Sequence, residues 1–206
     1  MCSGLDPRTV APDQRRRLIG VVPQVVHLFS GSIRDNLTLR DESVPFGDVE
    51  SAAGVVGIDA LIRSLPDGYD TELGGAGRGR GTQLSAGQQQ LLALARALIW
   101  KLPLILLDEA TSTVDSGSDA AFREALKDVV RTEGTAVLTI AHRLATARDA
   151  DRVILMDNGK IVEEGTPDDL IRRGGRFAAL LELEASGWDW RSAPLPGQDS
   201  SGNRNS

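Results

Sequence analysis

The chain has 206 residues, 41% of them hydrophobic and 25% charged, values that fit a globular domain with a core of its own and exclude collagen-like, coiled-coil and fully disordered classes. Its formal net charge of −6 excludes a global basic footprint for nucleic acid. A single cysteine, Cys2, rules out an intrachain disulfide and fits a reducing compartment.

Taken in chain order, Leu18–Val22 is a short apolar run stopped by Pro23 and predicts a buried strand followed by a loop. Asp48–Val56 and Asp59–Ser64 predict short helices separated by Gly57, and Pro66-Asp67-Gly68 predicts a turn. Gly74–Gly81 holds five glycines in eight residues and is expected to be a loop. A strong helix follows. Ser85 can cap it, Gln88 completes a capping box, and Leu91, Leu94, Ala95 and Leu98 recur at helical spacing. Leu104–Leu107 is wholly apolar and ends in Asp108-Glu109, the pattern of a strand buried on both faces of a parallel sheet.

Ala120–Val130 reads as a helix closed by Gly134, and Thr135–Ile140 as another strand. One helical turn at Ala145–Arg148 precedes a strand at Arg152–Met156. Asn158-Gly159 signals a hairpin into Lys160–Val162. Pro167 opens a helix, and Phe177–Leu183 is a last amphipathic one. From Ser186 the composition shifts to Ser, Gly, Pro, Asn and Asp, as in a disordered tail, with Trp188 and Trp190 able to dock it. Strands alternating with helices after Leu102 indicate an α/β domain with a mainly parallel sheet. The stretch from about Val44 to Leu84 looks like an inserted helical subdomain. No run reaches the ~20 apolar residues of a membrane-spanning helix. Met1–Asp6 lacks the basic flank and apolar run of a signal peptide, so membrane association is expected only through a partner.

Four features carry chemistry. Asp108 and Glu109 end an apolar strand, where one carboxylate can hold Mg²⁺ and the other can polarise an attacking water. Leu84-Ser85-Ala86-Gly87-Gln88 places small residues at a helix start, whose free N–H groups attract phosphate. His142 follows the strand Thr135–Ile140 at the rim of the sheet, where ligands bind in α/β folds. Gln24, after Pro23, stands at another strand end and can coordinate a metal or a water.

The ordered set Gln24, Leu84–Gln88, Leu104–Glu109, Ser112–Asp115 and His142 resembles the ATP-binding cassette of ABC transporters: Q-loop, signature motif, Walker B, D-loop and H-loop. Phe29–Leu37, Leu65–Glu72 and Ile161–Thr166 resemble its exporter-type branch, and the likeness runs from about Gly4 to Leu183. Two departures stand out. Ala86 replaces a usual glycine in the signature, and no Gly-x-x-x-x-Gly-Lys-Ser/Thr occurs: of the three lysines, Lys101, Lys127 and Lys160, only the last follows a glycine, and Ile161 comes next. The chain therefore reads as a cassette cut off just after its Walker A helix.

The resemblance implies an α/β fold: an incomplete P-loop NTPase (RecA-like) core with a mainly parallel sheet plus an inserted α-helical subdomain. The expected partition is residues 1–43 as a core remnant with the Q-loop, 44–98 as the helical subdomain ending in the signature helix, 99–184 as the second part of the core, and 185–206 as the tail. It also implies ATP and Mg²⁺ as cofactors, with Asp108 supporting Mg²⁺, Gln24 sensing it, Glu109 as general base and His142 on the γ-phosphate. Ser85, Ala86, Gly87 and Gln88 would bind the nucleotide of an opposite cassette in a head-to-tail dimer, with Asp115 at that interface. The remaining partners implied are the transmembrane domains of a transporter, holding the chain at the cytoplasmic face of the membrane, with no nucleic acid. The function implied is ATP-powered transport of the exporter type. A rival reading is an interaction module that cannot hold ATP and presents its signature motif to a partner cassette. A non-transport chromosome-maintenance or repair relative is disfavoured by the lack of sustained heptads. Arg78-Gly79-Arg80-Gly81 could suggest RNA binding, but two arginines in an acidic chain directly before the signature motif argue against it, and Arg15-Arg16-Arg17 reads as a solvated face rather than a basic patch.

Overall fold

The computed structural model describes residues 11, 18–74, 81–108, 116–141 and 144–186. Its elements fall into two compact units, Met1–Ile140 and Ala141–Ser206.

The first unit is built around a three-stranded parallel sheet, with β1 (Ile19–Val22), β4 (Leu104–Asp108) and β5 (Ala136–Ile140) adjacent in that order. The expected parallel pairing of Leu104–Leu107 with Ala136–Ile140 is present, and Ile19–Val22 joins on the other side of β4. Between β1 and β4 in sequence lie β2 (Gly31–Ser32), α1 (Ile33–Thr38), α2 (Phe46–Val55), α3 (Asp59–Ser64), β3 (Glu72–Leu73) and α4 (Ala86–Ile99). Helix α5 (Ser116–Glu133) connects β4 to β5. Gly134, at φ +63°, follows that helix in the left-handed conformation that glycine adopts without strain.

Helix α4 is the centre of this unit. Leu92, Leu94 and Ala95 are fully buried, and Ala93, Ala97, Leu98 and Ile99 nearly so. The sequence spacing predicts a single apolar stripe through Leu91. Instead Leu91 is half-buried and the helix is apolar on most of its circumference, as befits one enclosed by α1, α2, α5 and β1. Gly20 of β1 permits the close approach, since a Cβ there would stand 3.5 Å from Ala97 Cβ and 3.1 Å from Leu102 Cδ1.

The register explains the two faces of the sheet. Gly20, Val22, Ile105 and Leu107 point into the core. The alternate residues form the other face, where Val21 is 62% exposed, Leu138 56% and Ile140 59%, with Leu104 and Leu106 half-buried. Burial on both faces, expected for Leu104–Leu107, is therefore not met among the described residues. Parallel sheets ordinarily have both faces covered, so this open apolar face is a place for packing.

Two local features were not signalled by periodicity. Helix α1 is only six residues long, but its capping box is in the sequence: Ser32 Oγ accepts from Asp35 N at 3.0 Å and Asp35 Oδ2 accepts from Ser32 N at 3.1 Å. The antiparallel pair β2–β3 has two residues in each strand, too few to show alternation.

In the helical region, Tyr69 is buried and donates its hydroxyl to Asp59 Oδ1 at 2.6 Å. Arg63 Nε donates to both Asp59 oxygens at 2.9 Å, and Arg63 also pairs with Glu50. Phe46 meets the Tyr69 ring edge-on at 5.1 Å. Burial, then the hydrogen bond to Asp59, pushes the Tyr69 hydroxyl well above its ordinary value, while the Tyr69 hydroxyl and Arg63 hold Asp59 below the usual carboxylate range. The Tyr69 contribution to stability is therefore complete below about pH 10 and is lost as pH rises through the native value, whereas that of Asp59 is present above about pH 4 and is lost as pH falls. Tyr69 is the only tyrosine, so tyrosinate absorbance reports it directly. The folded chain should titrate clearly above the midpoint near 10 of the urea-unfolded chain. Coincident midpoints would contradict this hydrogen bond.

The second unit holds α6 (Leu144–Arg148), an antiparallel hairpin of β6 (Val153–Asp157) and β7 (Lys160–Gly165), then α7 (Pro167–Arg173) and α8 (Arg176–Ala185). The predicted hairpin turn is present, with Asn158 at φ +47° and Gly159 at φ +75°. Thr166 caps α7 ahead of Pro167, and Leu144, Val153, Leu170 and Phe177 form this unit's core. Among the described residues no helix is long and apolar enough to cross a membrane.

Candidate functional site

Because β1 and β4 run parallel with Val22 opposite Leu107, their chain exits lie side by side. Gln24 follows β1 and Asp108 ends β4, so both stand beyond the same carboxyl edge of the sheet, where α/β folds place ligands. Asp108 is exposed and Gln24 half-buried. Pro23 interrupts the strand ahead of Gln24, and the Gln24 backbone carbonyl accepts from Gln90 Nε2 of α4 at 2.8 Å. Asp108 and Gln24 offer a carboxylate and an amide oxygen, the hard donors that suit Mg²⁺. Among the described residues no group of three or more His, Cys, Asp or Glu gathers as a metal cage. Glu109, Asp115 and His142 lie outside the described residues, as do Cys2, Arg15–Arg17, Arg78–Arg80 and the two tail tryptophans.

The second cluster is the start of α4. Ser85 caps the helix with extended backbone, Ser85 Oγ accepts from Gln88 N at 3.3 Å, and Gln88 Oε1 accepts from Ser85 N at 2.9 Å. The predicted capping box is thus formed. Since Ser85 Oγ is used as an acceptor, its O–H can still donate to an oxyanion. Ser85 and Ala86 are exposed, Gly87 is buried and Gln88 half-buried. No acidic side chain occupies the first turn, so apart from the neutral capping box no charge there offsets the positive end of the helix. Gln89 Nε2 donates to Leu84 O at 2.9 Å and ties the entry segment to the same turn. The arrangement presents a donor hydroxyl and a helix N-terminus on an accessible surface, suited to phosphate.

Sequence reasoning passed over three supporting polar residues. Asn36, fully buried, accepts from Phe29 N at 3.1 Å and donates to Phe29 O at 2.9 Å and Ser32 O at 3.1 Å. Arg96 Nε donates to Asn36 O at 2.8 Å, and burial lowers the Arg96 value. Gln90 is only 3% exposed. The available signal was a polar residue on an otherwise buried helical face, which Gln90 is in α4.

Residues 4–112 match the profile of the ABC transporter family, more than half of the chain, and the protein belongs to that family. Its fold is that of an ABC nucleotide-binding domain. A bacterial Atm1-family ABC exporter solved with ATP bound superposes with a TM-score of 0.77 at 34% identity, covering 89% of this chain and 31% of that one. The mycobactin import ATP-binding/permease protein IrtB of Mycolicibacterium thermoresistibile is 38% identical over 92% of this chain and 32% of its own length. The ATP-dependent lipid A-core flippase of Syntrophus aciditrophicus is 37% identical over 89% of this chain and 30% of its own. The chain thus spans about a third of the length of these relatives.

Proposed function

We propose that this chain is the signature- and Walker B-bearing part of an exporter-type cassette that hydrolyses ATP to power transmembrane transport. The observation that carries the reading is the start of α4 behind the exposed Ser85, with no acidic residue in its first turn, in a chain of this family. Asp108 and Gln24 would hold Mg²⁺, which when bound offsets charge on the phosphate oxygens. Glu109 accepts a proton from the attacking water as that water adds to the γ-phosphorus and the bond to ADP breaks. His142 donates a hydrogen bond to the γ-phosphate. Ser85, Ala86, Gly87 and Gln88 close over the nucleotide of a second cassette, with Asp115 along that interface. The partition at residues 43, 98 and 184, placement at the cytoplasmic face of a membrane, and attachment to transmembrane domains belong to the same proposal.

In a second reading, the chain offers its signature motif to a nucleotide held by a partner. In both readings Ser85 faces phosphate across an interface. With a Walker A-bearing segment supplied, Mg-ATP should shift the protein to a dimer on gel filtration. Ser85→Arg should prevent the shift, because a bulky side chain would fill the space the partner's phosphates need. An unchanged dimer in Ser85→Arg would contradict the assignment.

A further inference from the structure

Residues 23–30 run from β1 to β2 without regular secondary structure, and α4 secures them directly through Gln90 and, by way of Asn36, through Arg96. Gln90 Nε2 grips Gln24 O at 2.8 Å. Six residues further along the helix, about 9 Å, Arg96 Nε holds Asn36 O at 2.8 Å. The Asn36 side chain in turn clamps Phe29 through both its N–H and its carbonyl.

Both α4 residues carry a buried side-chain atom without a partner among the described residues, Arg96 Nη2 and Gln90 Oε1, and Gln90 is the one that reaches Gln24. Its side chain is buried, yet among the described residues its Oε1 has no partner. A buried polar atom without a partner is costly, and an apolar side chain of the same shape would fill the site without that cost. Packing therefore does not account for an amide here, whereas its donor half does, because it reaches a backbone carbonyl 66 residues away in sequence. Gln90 also lies five residues beyond Ser85 on the same helix. Gln90 therefore joins the Gln24 backbone to the helix that Ser85 caps.

We infer that Gln90 is a positioning residue: by holding the Gln24 carbonyl it sets the Gln24 side chain toward the Mg²⁺ site and ties it to the helix that presents Ser85. The inference rests on the roles given to Gln24 and Ser85 under Proposed function. One strap then links the chain's own nucleotide site to the surface it offers its partner.

Gln90→Met keeps the volume and removes the donor. By hydrogen–deuterium exchange on the full chain without nucleotide, it should speed amide exchange in residues 24–28 about three- to tenfold, the worth of one hydrogen bond, and leave residues 92–98 of α4 unchanged. Equal exchange at 24–28 in parent and variant overturns the grip. Should Gln90→Met fail to fold, Gln90→Asn, an amide too short to reach, is read in the same way. In the ATP-hydrolysing assembly, Gln90→Met should raise the Mg²⁺ concentration for half-maximal turnover about tenfold with a smaller change in kcat. If Gln24→Ala shifts that concentration and Gln90→Met does not, the positioning role is wrong. If Gln24→Ala itself has no effect, the role given to Gln24 fails instead, and the inference with it.

Discussion

Glu109→Gln is expected to remove most ATP turnover, by about 10²–10⁴-fold, once a Walker A-bearing segment completes the site. The substitution keeps the size and polarity of the side chain and removes its ability to take a proton near neutral pH. Nucleotide binding should persist, because the contacts to phosphate come from backbone N–H groups, lysine and metal rather than from the base. The variant should therefore accumulate as an ATP-bound dimer, the opposite of Ser85→Arg. Steady-state hydrolysis with paired gel filtration reads both properties. Turnover near the parent rate would show that Glu109 is not the base.

Much of the core was legible because its signals are local. The apolar run Leu104–Leu107 and the β-branched run before Ile140 mark parallel strands, and Ser85 with Gln88 marks the start of α4. Asn158-Gly159 marks the hairpin. What was not legible depends on contacts distant in sequence. The Gln90–Gln24 bond and the Arg96–Asn36 bond join residues 66 and 60 positions apart, which no short-range period reveals. The two-residue strands β2 and β3 exist because each pairs with the other, not because either has strand character alone. The fully apolar Leu104–Leu107 reads as buried on both faces, yet among the described residues only one face is closed, because burial depends on what is packed there and not on the strand itself.

Among the described residues that second face is partly open. Val21, Leu106 and Leu138 stand in register across the three strands, with Val21 and Leu138 more than half exposed. A phosphate-binding loop and its helix, packed on this face, would bury apolar area at roughly 25 cal/mol per Å² and bring N–H donors and a lysine to the carboxyl edge beside Asp108 and Gln24. Affinity for nucleotide and coverage of the sheet are thus expected to arise together.

The most direct measurement is calorimetric titration of Mg-ATP into the purified 206-residue chain, alone and with a Walker A-bearing segment supplied in cis or in trans. Each charge-assisted hydrogen bond from the loop or its lysine to phosphate is worth roughly 1.5–3 kcal/mol. Several such bonds together amount to a few powers of ten in affinity. The account predicts weak binding by the chain alone and tightening of about that size when the segment is present. Micromolar binding by the chain alone, unchanged by the segment, would contradict it.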